Sequence, residues 1–260
     1  MPFSLEDVSV DLAGRPALRE VSCAVQPGER VVVLGVNGCG KTTLLRLLDG
    51  LVFPARGRVR YGGEPLDARA LAEAGFRRRF RGEVALLFQN VDAMLFNPTV
   101  ADEIAFGPRQ LALDDVDGRV RRWAEVFGLD GLLDRPPFDL SGGEKKRVAL
   151  AALLAIDPKV LLLDEATANL DPATAALLVD LLAGLPGVTV IASTHTLSMA
   201  EELGDRAILL APGRSGVLFD GPPREVIGNQ SLLVESGLAH RHQHRHRGAV
   251  HAHYHVHDAE

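Results

Sequence analysis

The chain has 260 residues, 47% apolar and 24% charged, with a net charge of −6; it is too apolar to be disordered and too acidic for a body built to bind nucleic acid. Two cysteines, Cys23 and Cys39, exclude a disulfide framework and a four-cysteine zinc site and suit a reducing compartment. No apolar run approaches the roughly 20 residues that cross a bilayer, and residues 1–6 lack the basic and apolar regions of a secretory signal, so the expectation is a cytoplasmic chain whose only membrane role is peripheral.

Residues 5–12 and 21–25 read as short strands on either side of the turn Ala13-Gly14-Arg15-Pro16. The run Arg30-Val31-Val32-Val33-Leu34 suits a strand buried on both faces of a parallel sheet. A glycine-rich loop follows, and residues 41–50 read as a helix. Residues 57–63 form an exposed strand and turn, and 84–89 an apolar strand. Helical signals dominate 99–128, where Val120, Trp123 and Phe127 recur at i, i+3 and i+7 on one face. Ser141 caps a helix running to about 156. Residues 160–163 predict a buried strand, 172–183 a helix and 188–193 another buried strand. This alternation predicts a parallel α/β sheet. From 239 to 260 the composition turns to His, Arg and Ala, which predicts a mobile tail.

The loop Gly35-Val36-Asn37-Gly38-Cys39-Gly40-Lys41-Thr42 fits the pattern G-x-x-x-x-G-K-[ST] between a strand and a helix. Polyphosphate binding needs backbone N–H groups at close approach, hence the glycines, and the helix beginning here adds the positive end of its dipole. Lys41 is expected to meet the β- and γ-phosphates and the Thr42 hydroxyl to meet Mg2+. Cys39 reads as a small packing residue rather than a redox switch.

The strand of residues 160–163 ends in Asp164-Glu165. Ligands gather at this edge of a parallel sheet, so Asp164 is expected to hold Mg2+ through water and Glu165 to polarise an attacking water. His195, the one histidine outside the tail, follows the strand of residues 188–193 beside the same edge. The sequence Leu140-Ser141-Gly142-Gly143-Glu144 opens a helix with a serine cap and two glycines, a second anion site that suits the nucleotide of a partner chain.

With these motifs in order, the sequence resembles the ATP-binding-cassette ATPases over about residues 3–226. Residues 140–144 are similar to that family's signature, Leu87-Phe88-Gln89-Asn90 to its Q-loop and Ala168-Asn169-Leu170-Asp171 to its D-loop. The stretch from Phe88 to Phe96, with Pro98-Thr99-Val100 and Ala105-Phe106-Gly107-Pro108, looks like the energy-coupling-factor cassettes, in which it faces the membrane partner. The resemblance implies a P-loop NTPase (RecA-like) parallel α/β core, an N-terminal antiparallel β subdomain and an α-helical signature subdomain at about 97–150, all within an ATPase domain of residues 1–238. It implies ATP contacts at Gly35, Asn37, Gly38, Cys39, Gly40, Lys41, Thr42, Thr43, Gln89, Ser141, Gly142, Gly143 and Glu144. Gln89, Thr42 and Asp164 are implied for Mg2+, and Glu165, His195, Gln89 and Lys41 for catalysis. It also implies pairing with a second cassette, identical or homologous, and docking to integral membrane subunits at the cytoplasmic face of the membrane. Three positions depart from the family pattern. Leu12 stands where an aromatic residue stacks on the base, Glu144 where the signature has Gln, and Ala166 where Pro is common.

His240, His242, His244 and His246 form one alternating cluster and His251, His253, His255 and His257 another. Neutral imidazoles ligate Ni2+, Co2+, Cu2+ and Zn2+, so the tail is expected to bind exchangeable metal. With the cassette subtype this favours import of nickel or cobalt, ahead of zinc or biotin. A soluble ATPase acting on DNA or ribosomes and a metal-storing or metal-sensing module are the competing readings. The basic run Arg77-Arg78-Arg79-Phe80-Arg81 reads as a solvated helix face, with no nucleic-acid partner expected.

Overall fold

The computed structural model describes residues 2–168, 170–246 and 249–256, and for 240–246 and 249–256 the description is of the backbone. Asn169 of the expected D-loop and His257 of the tail lie outside the described residues. The chain forms two compact units, residues 1–68 with 189–260, and residues 69–188.

In the first unit β1 (Phe3–Leu12) and β2 (Arg15–Val25) make an antiparallel hairpin. After β3 (Arg30–Leu34) and α1 (Lys41–Leu48), β4 (Arg56–Tyr61) pairs with the other edge of β1 and with the short β5 (Glu64–Pro65), giving the order β2-β1-β4-β5. Phe3 and Tyr61 meet across this sheet, ring centroids 5.2 Å apart. In β3, Val31 to Leu34 are all fully buried, each worth roughly 1.5–3 kcal/mol of burial.

The second unit contains α3 (Ala74–Glu83), reached through α2 (Ala68–Ala72), then β6 (Val84–Leu87), α4 (Val100–Leu111), α5 (Val116–Val126), α6 (Gly142–Leu154), β7 (Val160–Asp164) and α7 (Pro172–Ala183). The strands β6 and β7 are parallel. Val120, Trp123 and Phe127 are buried together, as their helical spacing predicts. On α3 the Arg79 and Arg81 guanidinium groups lie over the rings of Phe76 and Phe80 at 5.2 and 5.5 Å, so half of the basic run is folded onto its own aromatic residues.

The chain then returns to the first unit with β8 (Thr189–Thr194), α8 (Ala200–Leu203), β9 (Arg206–Leu209), β10 (Phe219–Gly221), α9 (Pro223–Ile227) and α10 (Gln230–Glu235). β3 lies between β8 and β9, parallel to both, and β10 is antiparallel to β9. The four-residue β9 and three-residue β10 carry too little pattern to be read from sequence. The Arg206 guanidinium fastens them, donating to both Asp220 oxygens at 2.5 and 2.6 Å and to Glu29 at 2.9 Å.

Within the stretch where the composition predicts a mobile tail, the structure describes two strands. β11 (Ala239–His246) and β12 (Ala249–Val256) pair antiparallel, with His240 opposite His255, His242 opposite His253 and His244 opposite His251. The i, i+2 repeat that suggests loose ligands is also the period of a strand. Among the described residues no helix is long and apolar enough to cross a membrane.

Candidate functional site

In the first unit the phosphate-type loop leaves the buried end of β3. Gly35 takes φ +146°, and a Cβ there would sit 2.5 Å from both Cys39 Sγ and the Leu210 carbonyl oxygen. Gly40 takes φ +108°, and a Cβ would meet the Ala17 carbonyl oxygen and Leu18 Cδ2 at 2.6 Å. Both positions therefore exclude a side chain on conformation and on space. Gly40 is also the N-cap of α1 and supplies no side-chain acceptor, and the first turn of α1 carries no acidic residue. The helix start is thus suited to an external anion. Lys41 is buried, and its ammonium donates to the Gly35 carbonyl at 2.7 Å and more weakly to Val36 at 3.4 Å.

A cleft of about 320 Å³ beside the loop is lined by Pro16, Ala17, Leu18, Gly38, Cys39 and Ala211, among others. Cys39 packs behind Gly35 at its wall, in keeping with the packing role expected of it. Leu12 closes the β1–β2 turn opposite Arg15. In the parallel register Leu34 lies opposite Thr194, so Gly35 and His195 leave the sheet at the same edge.

In the second unit, Leu87 lies opposite Leu163, so the segment Phe88-Gln89 and the pair Asp164-Glu165 likewise leave one edge together. Asp164 and Glu165 are both buried. Glu165 has φ +50°, a left-handed conformation that costs an L-residue roughly 1–2 kcal/mol. Asp171 accepts from the backbone N–H and the hydroxyl of Thr174 at 3.0 and 2.6 Å. It is thus the N-cap of α7, and those bonds hold its carboxyl below the usual range.

The signature segment forms a full capping box. The Ser141 backbone N–H and hydroxyl donate to Glu144 at 2.8 and 2.7 Å, and the Glu144 N–H donates back to Ser141 Oγ at 3.4 Å. Glu144 at the signature's Gln position is therefore a partner of the helix cap, and the Ser141 bonds hold its carboxyl below the ordinary value.

Two lysines of α6 reach the other motifs of this unit. Lys145 donates to Asp92, just beyond Gln89, at 2.8 Å. The buried Lys146 ammonium donates to the carbonyl oxygens of Glu165 at 2.8 Å and Ala168 at 2.6 Å. Burial pushes the Lys146 pKa down to about 8, against the opposing pull of Glu165 and Asp164. Sequence reading missed Lys146, because a second lysine in Lys145-Lys146-Arg147 looks like one more surface charge.

Parallel α/β strands with a glycine-shaped loop at a helix start are the architecture of a P-loop ATPase. Residues 18–168 match the ABC transporter family, and the chain belongs to it; it is an ATP-binding subunit of the energy-coupling-factor type, an enzyme that hydrolyses ATP. It is 45% identical over 238 residues to the nickel import ATP-binding protein NikO of Rhodobacter capsulatus, covering 89% of this chain and 93% of that one. It is 40% identical to the energy-coupling factor transporter ATP-binding protein EcfA of Methanothermobacter thermautotrophicus, covering 91% and 76%. Among solved structures it superposes on cbiO1 of Clostridium perfringens, part of the ABC transporter complex cbiONQ, with a TM-score of 0.74 and 31% identity, covering 91% and 94%.

Proposed function

We propose that this subunit drives the uptake of a transition-metal ion, nickel or cobalt, by binding and hydrolysing ATP in a cassette dimer docked on membrane subunits. The observation that carries the reading is the 45% identity to a nickel import protein along 89% of the chain. The membership of cbiO1 in a transporter complex supports the same kind of assembly here, at the cytoplasmic face of the membrane.

The loop from Gly35 to Thr43 holds the ATP phosphates, with Lys41 neutralising their charge. His195, at the same sheet edge as Gly35, serves the γ-phosphate. Glu165 is the general base that takes a proton from the attacking water, and Gln89 orients that water. Ser141, Gly142, Gly143 and Glu144 serve the nucleotide of the partner cassette, a use supported by the α6 N-terminus. The hydroxyl of Thr42, the amide oxygen of Gln89 and the carboxylate of Asp164 are hard oxygen donors of the kind Mg2+ prefers; the ion, when bound, offsets phosphate charge.

Phe96 and Phe106 support docking to a membrane subunit. They are 65% and 38% exposed and meet edge to face at 4.9 Å, an apolar pair left at the surface of the segment that resembles the coupling region. Six histidines of the tail, opposite one another in pairs in the register of β11 and β12, support capture of exchangeable Ni2+ or Co2+ on the cytoplasmic side after passage.

The test is reconstitution with the membrane subunits and measurement of ATP-dependent uptake of radiolabelled nickel and cobalt, with zinc and biotin as competitors. Uptake of nickel or cobalt is expected. Transport of zinc or biotin alone would overturn the metal assignment while leaving the ATPase intact.

A further inference from the structure

The turn at Glu165 and the signature helix are joined by one side chain that no motif contains. Glu165 adopts φ +50° at the start of a turn closed by the Ala168 N–H donating to the Glu165 carbonyl at 3.1 Å. A buried left-handed residue that is not glycine persists only where its surroundings hold it. One group that holds this turn is Lys146, whose ammonium bridges the carbonyl oxygens at its two ends, 2.8 Å from Glu165 and 2.6 Å from Ala168.

Lys146 sits five residues after Ser141, on the same α6 helix. That helix is rigid at its start because the capping box fixes its first turn. A displacement of the helix start therefore reaches the Glu165 turn through one buried side chain, without passing through a loop.

We propose that Lys146 is a positioning residue that fixes the backbone of Glu165 and so couples the engagement of the signature helix to hydrolysis. The proposal rests on the assignment of Glu165 as the general base. A displacement of a catalytic group by about 1 Å can cost about 10²-fold in rate, and this turn governs where the Glu165 carboxylate lies. An ammonium suits this bridging position because it has three rotatable donors, enough to satisfy both carbonyls at once.

The test uses the full-length chain in its transporter complex and compares Lys146→Met, which keeps the length but has no donor, with Lys146→Arg and Lys146→Gln, which can each donate to two carbonyls. Lys146→Met is expected to lower kcat at least about tenfold with KM for ATP and equilibrium ATP binding within about twofold of the parent. One of the donor-retaining variants is expected to recover most of the loss, which a generic packing role would not predict. In a Glu165→Gln background, single-turnover hydrolysis is expected to fall no further on adding Lys146→Met, because both changes act through one group.

A kcat for Lys146→Met equal to the parent's, or a loss that multiplies with that of Glu165→Gln, overturns the proposal. If Lys146→Met does not fold, Lys146→Gln in the two backgrounds decides by the same criterion. Substantial turnover in Glu165→Gln alone overturns the assignment of the base instead, so the two failures are told apart.

Discussion

The Glu144 carboxylate accepts from both the backbone N–H and the hydroxyl of Ser141, at 2.8 and 2.7 Å. The residue that departs from the family signature thus serves to build the helix start. Ser141→Ala should cost about 1 kcal/mol, the usual worth of such a cap, seen as a small fall in the unfolding midpoint. Ser141→Arg should leave nucleotide binding by the monomer intact and block the ATP-dependent dimer. Sizing chromatography with ATP in a Glu165→Gln background checks this; a dimer that still forms would remove the signature from the partner's site.

Glu165→Gln should leave ATP binding unchanged and lower turnover by about 10²- to 10⁴-fold, the range of general-base effects. Steady-state phosphate release and equilibrium nucleotide binding measure the two separately. Turnover within a few-fold of the parent would reassign the base.

Lys41→Ala should weaken ATP binding itself. The ammonium donates to the Gly35 and Val36 carbonyls, and in the proposed function it is the charge that neutralises the phosphates. Titration of the purified variant with a fluorescent ATP analogue is the check, and unchanged affinity would contradict the phosphate-loop role.

Removing residues 239–260 should abolish binding of Ni2+ and Co2+ and leave ATP hydrolysis in place, since the nucleotide motifs end by His195. In the intact chain metal binding should weaken between about pH 7 and pH 5.5, because a histidine of pKa near 6.5 becomes protonated there and cannot ligate. The backbone register adds a sharper expectation. His242→Ala and His253→Ala, opposite one another, should be non-additive in calorimetry, whereas His240→Ala with His251→Ala, which are not opposite, should add.

Neither cysteine should react readily in the folded protein. Burial, reinforced by the nearby Asp220 carboxylate, pushes the Cys23 thiol up to about 11, so at pH 8 only about one molecule in a thousand carries the thiolate. Cys39 is buried behind the phosphate loop. Cys23 is half-buried; alkylation followed by mass spectrometry should be slow until denaturant is added, and rapid labelling of Cys23 at pH 8 would refute its raised thiol pKa.

Much of this was legible from residues alone because the relevant physics is local. Four consecutive apolar residues from Val31 to Leu34 ending in Gly35 require a buried strand and a turn of glycine conformation. Ser141 before two glycines writes a capped helix start, and Pro172 opens another helix; the structure carries both. What the sequence did not disclose lies in contacts between distant positions. Nothing local to Lys146 says that its ammonium ends on carbonyls 19 and 22 residues away. Nothing in the four residues of β9 says that they join β3, since a strand that short is specified by its neighbours' hydrogen bonds and by the Arg206 ion pairs.

By itself, then, the sequence determined the chemistry available to this protein: a loop that only glycines can form, two carboxylates at a strand end, a capped helix start and a histidine repeat. Those depend on residue type and on spacings of a few residues, which propensity and backbone geometry set directly. Only the tertiary structure decided the relations among them. It placed Gly35 and His195 at one edge through the parallel register of β3 and β8, set Asp164-Glu165 beside the end of β6, set six tail histidines opposite one another in antiparallel strands and brought the Lys146 ammonium to the Glu165 carbonyl. The reason is physical: strand register and the burial of a charge are settled by the hydrogen bonds and packing of the whole fold, and no short stretch of chain contains them.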